Sequence, residues 1–326
     1  MDEAHVITDK MLAELEKRIA REYKKAHRDL VRKVNDYFAQ FAADADAKLE
    51  ALREGQISLE EYQEFIGRKM GVGQRWVDMR DRIAQDYHNA NLHAREMYRE
   101  TQKEVYALNR NYAVYDIEKK LSASISFTLY DRATVDRLLR DNPKLLPDPG
   151  KKMAEAIKKN PDLKWNKQKV QSAILQSILQ GESVGEAAKR LMQVTQANYK
   201  QAVRYARTAI TGAQNAGRLA TYEEAVEEGA EIEKVWEATL DDRTRHAHRE
   251  LDGQTVPVNE PFEADGYTIM FPGDPDAAPE MVWNCRCSMS SGDVKYPREK
   301  ITYSPKLGSM TYEEWKEGGS GKRVQN

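Results

Sequence analysis

Three residues in the second half of the chain are of the types that bind zinc in proteins: His248, Cys285 and Cys287. Asp242 could supply a fourth ligand. The cysteines are separated by one residue, so both sulfurs reach one metal only if the chain turns there; most structural zinc sites use wider gaps. The alternative is a reduced thiol pair with a hydrogen-bonded histidine that fixes the chain locally. Both interpretations stay open, and zinc is the cofactor that these residues would suit.

Charged residues surround this set in the sequence. Arginine side chains pair bidentately with carboxylates, and aspartate or threonine can cap a following helix. A small module has few other stabilising devices, so we expect an internal network here rather than a binding surface. Its members would be Asp242, Arg243, Thr244 and Arg286.

Catalysis by these residues is the less favoured interpretation. The sequence contains no H-E-x-x-H, no G-x-S-x-G and no glycine-rich phosphate loop. Asp241 and Asp242 are adjacent, so their carboxylates should diverge rather than face one substrate. We therefore expect no enzyme and no small-molecule substrate. The alternative is a metal-dependent hydrolase or nuclease centred on His248, Cys285 and Cys287.

The elements that position these residues follow from apolar spacing. Apolar residues three and four apart, from Leu12 to Leu52 and from Trp76 to Tyr115, predict two long amphipathic helices. After Gly229, short strands and turns replace the helical pattern. The predicted fold is mostly α with a small C-terminal α+β module, preceded by a long N-terminal helical hairpin or bundle. The hairpin would pack its apolar stripe on a partner.

Four segments are expected along the chain. They are long amphipathic helices over residues 1–120, a helical domain over 121–228, the α+β module over 229–300 and a partly flexible tail over 301–326. The start lacks the pattern of a secretory signal, and no run of about 18 apolar residues predicts a membrane span. Two cysteines cannot form a disulfide framework, which favours synthesis in a reducing cytoplasm.

The charge balance argues against general nucleic-acid binding. Lys and Arg number 51 against 53 Asp and Glu, giving a formal charge of −2. A local basic stretch from Lys151 to Lys169 nevertheless lies beside Trp165. A solvated helix face is the common outcome for such a run. The alternative function is DNA binding by phosphate contacts, with Lys158, Lys159 and Lys164 as the candidate residues.

The module carries a series of short motifs in a fixed order. They are A-R-T at 206–208, A-T-L-D at 238–241, D-R-T-R at 242–245, L-D-G-Q at 251–254, P-G-D-P at 272–275 and N-C-R-C at 284–287. This series resembles the Mu F-like phage head-morphogenesis family, over roughly Tyr199 to Trp315. Family members usually have proline where His246 lies, so His248 occupies the family's histidine position.

The resemblance implies a minor head protein of a tailed phage, made in the host cytoplasm and located in the virion, inside the head or at the portal. It implies the portal protein and head subunits as partners, and roles in head morphogenesis, DNA packaging or ejection. Packaged DNA would be a further partner. Some members carry a toxin domain after the module; the sequence ends soon after Trp315, so we expect none. The motif network would comprise Arg207, Asp242, Arg243, Thr244, His248, Asp252, Gly253, Asn284 and Arg286.

Overall fold

The computed structural model describes residues 2–70, 72–151, 163–180 and 182–319. Its helices are α1 (Glu3–Phe38), α2 (Ala42–Arg53), α3 (Leu59–Lys69), α4 (Gly73–Leu121), α5 (Arg132–Asp141), α6 (Leu163–Leu179), α7 (Val184–Glu227), α8 (His246–Leu251), α9 (Pro279–Val282) and α10 (Tyr312–Glu314). Its strands are β1 (Ala123–Ser124), β2 (Glu231–Glu237), β3 (Thr255–Pro257), β4 (Phe262–Ala264), β5 (Tyr267–Ile269), β6 (Ser288–Lys295) and β7 (Thr302–Tyr303). The predicted fold class, mostly α with a small C-terminal α+β module, is confirmed.

The chain divides into two compact units that are not consecutive in sequence. The first unit contains residues 1–15, 97–149 and 204–326, and the second contains 16–96 and 150–203. These limits do not coincide with the segments predicted from the sequence. The reason is that α1, α4 and α7 each contribute residues to both units, whereas the predicted limits follow the ends of helices.

The second unit is a helical bundle. Within it α1 and α4 run antiparallel: the Lys33 ammonium pairs with the Asp86 carboxylate, and the Tyr37 and Trp76 rings lie 5.9 Å apart. The apolar stripe of α1 is buried there, as the residues Ile19, Tyr23, Leu30, Val34 and Phe38 show. This stripe is therefore not free to bind a partner, contrary to the expectation from its amphipathic pattern.

The first unit holds the α+β module. Strand β2 lies between β3 and β6 in an antiparallel sheet, with Val235 opposite Thr255 and Trp236 opposite Met289. Helix α7 packs closely on α4, because a Cβ atom at Gly217 would lie 2.5 Å from the carbonyl oxygen of Tyr106. Glycine at this position lets the two backbones approach.

The tail is anchored at its start. Trp315 is buried, and its indole Nε1 donates a hydrogen bond to Glu118 Oε2 at 2.6 Å. Its ring lies 5.7 Å from that of Tyr115. The predicted flexibility of the tail concerns chiefly residues 320–326, which lie outside the described residues. In the part of the chain that is described, we find no helix with the length and apolarity needed to cross a membrane.

Candidate metal centre

His248, Cys285 and Cys287 lie together inside the first unit. His248 is part of α8, and the cysteines precede β6. His248 Nδ1 lies 3.3 Å from Cys287 Sγ and 3.7 Å from Cys285 Sγ. The three residues are only 2–3% exposed, so solvent does not reach them freely. Their ligand atoms all lie within 4.8 Å of one another, a spacing that could hold a metal ion.

The chain turns immediately before Cys285, and Cys287 then lies back against the first cysteine. Asn284 adopts a φ of 55°, in the left-handed region that asparagine tolerates better than most residues. The backbone N–H of Cys287 then donates to Cys285 Sγ at 3.4 Å. This local contact brings the second cysteine back towards the first.

Side chains of helix α7 hold this turn in place through hydrogen bonds. Thr208 Oγ1 accepts a hydrogen bond from the backbone N–H of Asn284 at 3.2 Å, and the Thr211 hydroxyl donates to the Cys285 carbonyl at 2.7 Å. The Asn215 amide donates to the carbonyl of Pro272 at 3.0 Å. Thr211 and Asn215 were missed in the sequence analysis. Their signal is a row of polar residues three and four apart on an otherwise apolar helix.

The two thiols titrate differently. The hydrogen bond from Cys285 lowers the pKa of the Cys287 thiol, and the neighbouring His248 adds to this effect. The same hydrogen bond, together with burial, raises the pKa of Cys285. A thiolate at Cys287 is therefore favoured at neutral pH, and a thiolate is the form that binds metals.

The imidazole of His248 offers one nitrogen to the sulfurs. Its ring is perpendicular to that of Trp236, at 88° and with centroids 5.7 Å apart. Nδ1 faces the two thiols, whereas Nε2 is buried and has no hydrogen-bond partner among the described residues. The ring is thus oriented by packing, with Nδ1 as the candidate ligand atom.

Asp242 does not lie with His248, Cys285 and Cys287, so the prediction that it supplies a fourth ligand is wrong. Asp242 is exposed on the turn before α8. The adjacent Asp241 is half-buried instead and accepts two hydrogen bonds from Arg286, at 2.7 and 2.6 Å. These bonds hold the pKa of the Asp241 carboxyl well below its usual range. The network residue is Asp241, because its carboxylate and not that of Asp242 pairs with Arg286.

The D-R-T motif forms a tight turn around Asp241. The backbone N–H of Arg243 donates to Asp241 Oδ1 at 2.9 Å, and that of Asp241 donates to Thr244 Oγ1 at 3.0 Å. The Arg243 side chain is exposed. Thr244 thus bonds to Asp241 through its hydroxyl, whereas Arg243 contributes mainly its backbone.

The L-D-G-Q motif forms hydrogen bonds with the end of strand β2. Asp252 Oδ1 accepts from the backbone N–H of Ala238 at 2.9 Å. Gly253, with a φ of 76°, donates its N–H to the carbonyl of Trp236 at 2.8 Å. Arg207 is half-buried on α7, next to Thr208. Asp252, Gly253 and Arg207 are not among the described residues whose ligand atoms form the buried group.

Two further sets lie apart from the centre. His246 is exposed and contacts Asp265 at 3.2 Å and Glu250 at 3.5 Å, apart from the buried group of His248 and the cysteines. Lys158 and Lys159 lie outside the described residues, and so does the side chain of Lys164. DNA contact by these three lysines therefore stays a prediction.

Comparison with known proteins gives one family and two relatives. The family described as "Phage Mu protein F like protein" matches residues 168–290. Over 118 residues the chain is 36% identical to the minor head protein GP7 of Bacillus phage SPP1, covering 36% of this chain and 38% of that protein. Over 174 residues it is 34% identical to the NAD(+)--arginine ADP-ribosyltransferase EFV of Enterococcus faecalis, covering 53% of this chain and 34% of that protein. The chain thus spans little more than a third of the length of either relative. No solved structure gives a significant match.

Proposed function

Because this chain belongs to the phage Mu protein F-like family through residues 168–290, we propose that it is a minor head protein of a tailed phage. The observation that carries the proposal is the 36% identity to a protein named as a minor head protein. The motifs that carry the resemblance also form one connected structure, in which Arg286 of N-C-R-C pairs with Asp241 of the D-R-T turn. Such a network fixes the geometry of the module, which is what an assembly protein needs.

The finer part of the proposal concerns partners and place. We propose the portal protein and head subunits as partners, a location inside the head or at the portal, and a role in head morphogenesis, DNA packaging or ejection. The support is an exposed apolar patch on the second unit, here called the α3–α6 patch. It consists of Leu59, Leu175 and Leu179, which are 48%, 51% and 70% exposed.

The two helices that carry the patch are in contact within the second unit. Leu175 and Leu179 are one turn apart on α6, and the Gln63 amide of α3 donates to the carbonyl of Leu179 at 2.7 Å. Exposed leucines grouped in this way mark surfaces that bind other proteins more often than singly scattered ones do. The patch therefore replaces the buried stripe of α1 as the proposed contact surface.

We further propose that the chain is not an enzyme and acts on no small-molecule substrate. The name of the Enterococcus faecalis relative describes a transferase, but the aligned region is only 34% of that protein. In this chain the candidate metal centre is closed, since His248, Cys285 and Cys287 are nearly fully buried. A substrate would have no direct path to them.

Crosslinking mass spectrometry on purified heads, with copy number measured in the same sample, tests the proposal. A few copies per particle, with crosslinks from the second unit to the portal protein, are expected. Absence from purified heads would overturn the structural role. Presence in heads without crosslinks to the portal would overturn the proposed location and leave only head membership.

A further inference from the structure

We propose that His248, Cys285 and Cys287 bind one zinc ion, through imidazole Nδ1 and the two thiolate sulfurs. The zinc would join α8 to the N-C-R-C turn. This inference is independent of the head-protein proposal, because it concerns only the interior of the first unit.

The spacing of the ligand atoms agrees with tetrahedral zinc. Bonds of about 2.3 Å to sulfur and about 2.05 Å to nitrogen, at a tetrahedral angle, place nitrogen and sulfur about 3.6 Å apart. In the structure, His248 Nδ1 lies 3.3 Å from one sulfur and 3.7 Å from the other. If Nδ1 only formed one hydrogen bond, a single sulfur would need to lie this close to it. Two similar distances from one nitrogen to two sulfurs fit a shared metal better.

The charges of the ligands also suit a buried zinc ion. Two thiolates and a neutral imidazole around Zn²⁺ give a complex with no net charge, which can lie in a closed interior at low cost. Zinc binds the deprotonated sulfurs, so a thiol proton that is present would be released on binding. Thiolate and imidazole ligands in a tetrahedral arrangement select zinc over magnesium or calcium, which prefer oxygen.

Neighbouring residues hold the three ligand residues in place. The Thr211 hydroxyl fixes the Cys285 carbonyl, Thr208 fixes the backbone of Asn284, and Trp236 packs across the His248 ring. His248 Nε2 is buried without a partner among the described residues, so Nδ1 is the nitrogen that faces the sulfurs. Ligands held in this way lose little freedom on binding.

The test is metal content, measured on the full chain produced in zinc-supplemented medium. Native mass spectrometry should show one zinc per chain in the wild type. Cys287→Ser should weaken zinc binding by roughly a hundredfold or more, since it removes a ligand outright. The matched control is His246→Ala, which removes an exposed imidazole two residues away on the same helix and should leave the zinc in place.

A second measurement keeps the test decisive if the cysteine variant fails to fold. Cobalt(II) added to chelator-treated wild type should produce the near-ultraviolet band of thiolate-to-metal charge transfer and the visible bands of tetrahedral cobalt. Chelator should also lower the Tm, and added zinc should restore it. A wild type that folds, contains no zinc and gives no thiolate–cobalt band would overturn the inference in favour of a metal-free thiol–imidazole cluster.

Discussion

Arg286 and Asp241 form a bidentate ion pair that joins the turn between the two cysteines to the D-R-T turn before α8. Arg286 Nη2 donates to Asp241 Oδ1 at 2.6 Å, and Nη1 donates to Oδ2 at 2.7 Å. The pair therefore ties together the two segments that carry the thiols and the imidazole. Both side chains are half-buried, so solvent screens the pair only in part.

This ion pair should make stability depend on pH. Its hydrogen bonds from Arg286 hold the pKa of Asp241 below the ordinary 3.8, so below that pH the unfolded chain binds more protons than the folded one. The stabilisation is present above pH 3.8 and is lost as the pH falls through the lower folded-state pKa. We expect Asp241→Asn to be less stable than wild type near neutral pH, and the difference to shrink in acid.

Urea denaturation of both proteins at neutral and acidic pH measures this difference. Asp242→Asn is the matched control, because the same change on the adjacent, exposed carboxylate should leave the urea midpoint unchanged at either pH. Equal losses for the two variants would contradict the assignment of Asp241 as the network residue.

The close approach of α7 to α4 gives a second prediction. A methyl group at Gly217 would lie 2.5 Å from the Tyr106 carbonyl oxygen, which is backbone and cannot move aside easily. Gly217→Ala should therefore lower the free energy of unfolding by about 1–3 kcal/mol. At Gly67 of α3 nothing lies within 4 Å of the added Cβ. Gly67→Ala should raise the free energy of unfolding by about 0.5–1 kcal/mol, through helix propensity alone.

Chemical denaturation of the two alanine variants separates the effect of steric crowding from that of helix propensity. The change in the free energy of unfolding should have opposite signs in the two variants, although the substitution is the same. A Gly217→Ala protein as stable as wild type would show that the two helices can move apart at little cost.

The sequence predicted the long helices and the change to strands, because their patterns are local. Apolar residues three and four apart marked α1 and α4, although the helix expected to continue to Leu52 ends at Phe38 and a new one begins at Ala42. The strands expected after Gly229 begin with β2 at Glu231. The division into units was not predictable in this way. It depends on contacts between distant residues, such as the pairing of Asp2 with the fully buried Arg218.

The candidate site was predictable by residue type but not in detail. The types of His248, Cys285 and Cys287 suggested a common site, and the structure brings them together. The choice between Asp241 and Asp242 depends on the conformation of one turn, which residue types do not fix. Lys234 is a similar case: it is buried between Ile232 and Trp236 on one face of β2, where its ammonium donates to the Met270 carbonyl at 2.8 Å.

The anchored start of the tail gives a third prediction. Trp315 is buried, and its indole is a hydrogen-bond donor to Glu118, whose other carboxylate oxygen accepts from the backbone of Ile125 at 2.8 Å. Trp315→Ala should lower the free energy of unfolding by about 3–5 kcal/mol, through the cavity and the lost donor. Thermal or urea unfolding measures it. Lys316→Ala, one residue further on and exposed, should have no effect; equal losses would contradict the anchoring role.

The α3–α6 patch gives the last prediction, which concerns assembly. Leu179 is 70% exposed, so Leu179→Glu should leave the folded chain as stable as wild type, since an exposed leucine contributes little to the core. If the patch binds a head or portal subunit, the buried glutamate charge at that interface should strongly reduce incorporation into heads.

Quantitative mass spectrometry of purified heads measures incorporation, and the Tm of the isolated variant confirms its fold. Leu240→Glu is the matched control, because Leu240 is 61% exposed and lies outside the patch, on the first unit. Loss of incorporation for Leu179→Glu alone would locate the interface at the patch. Equal incorporation of both variants would exclude the patch as the contact surface, and equal loss would show that any exposed charge disturbs assembly.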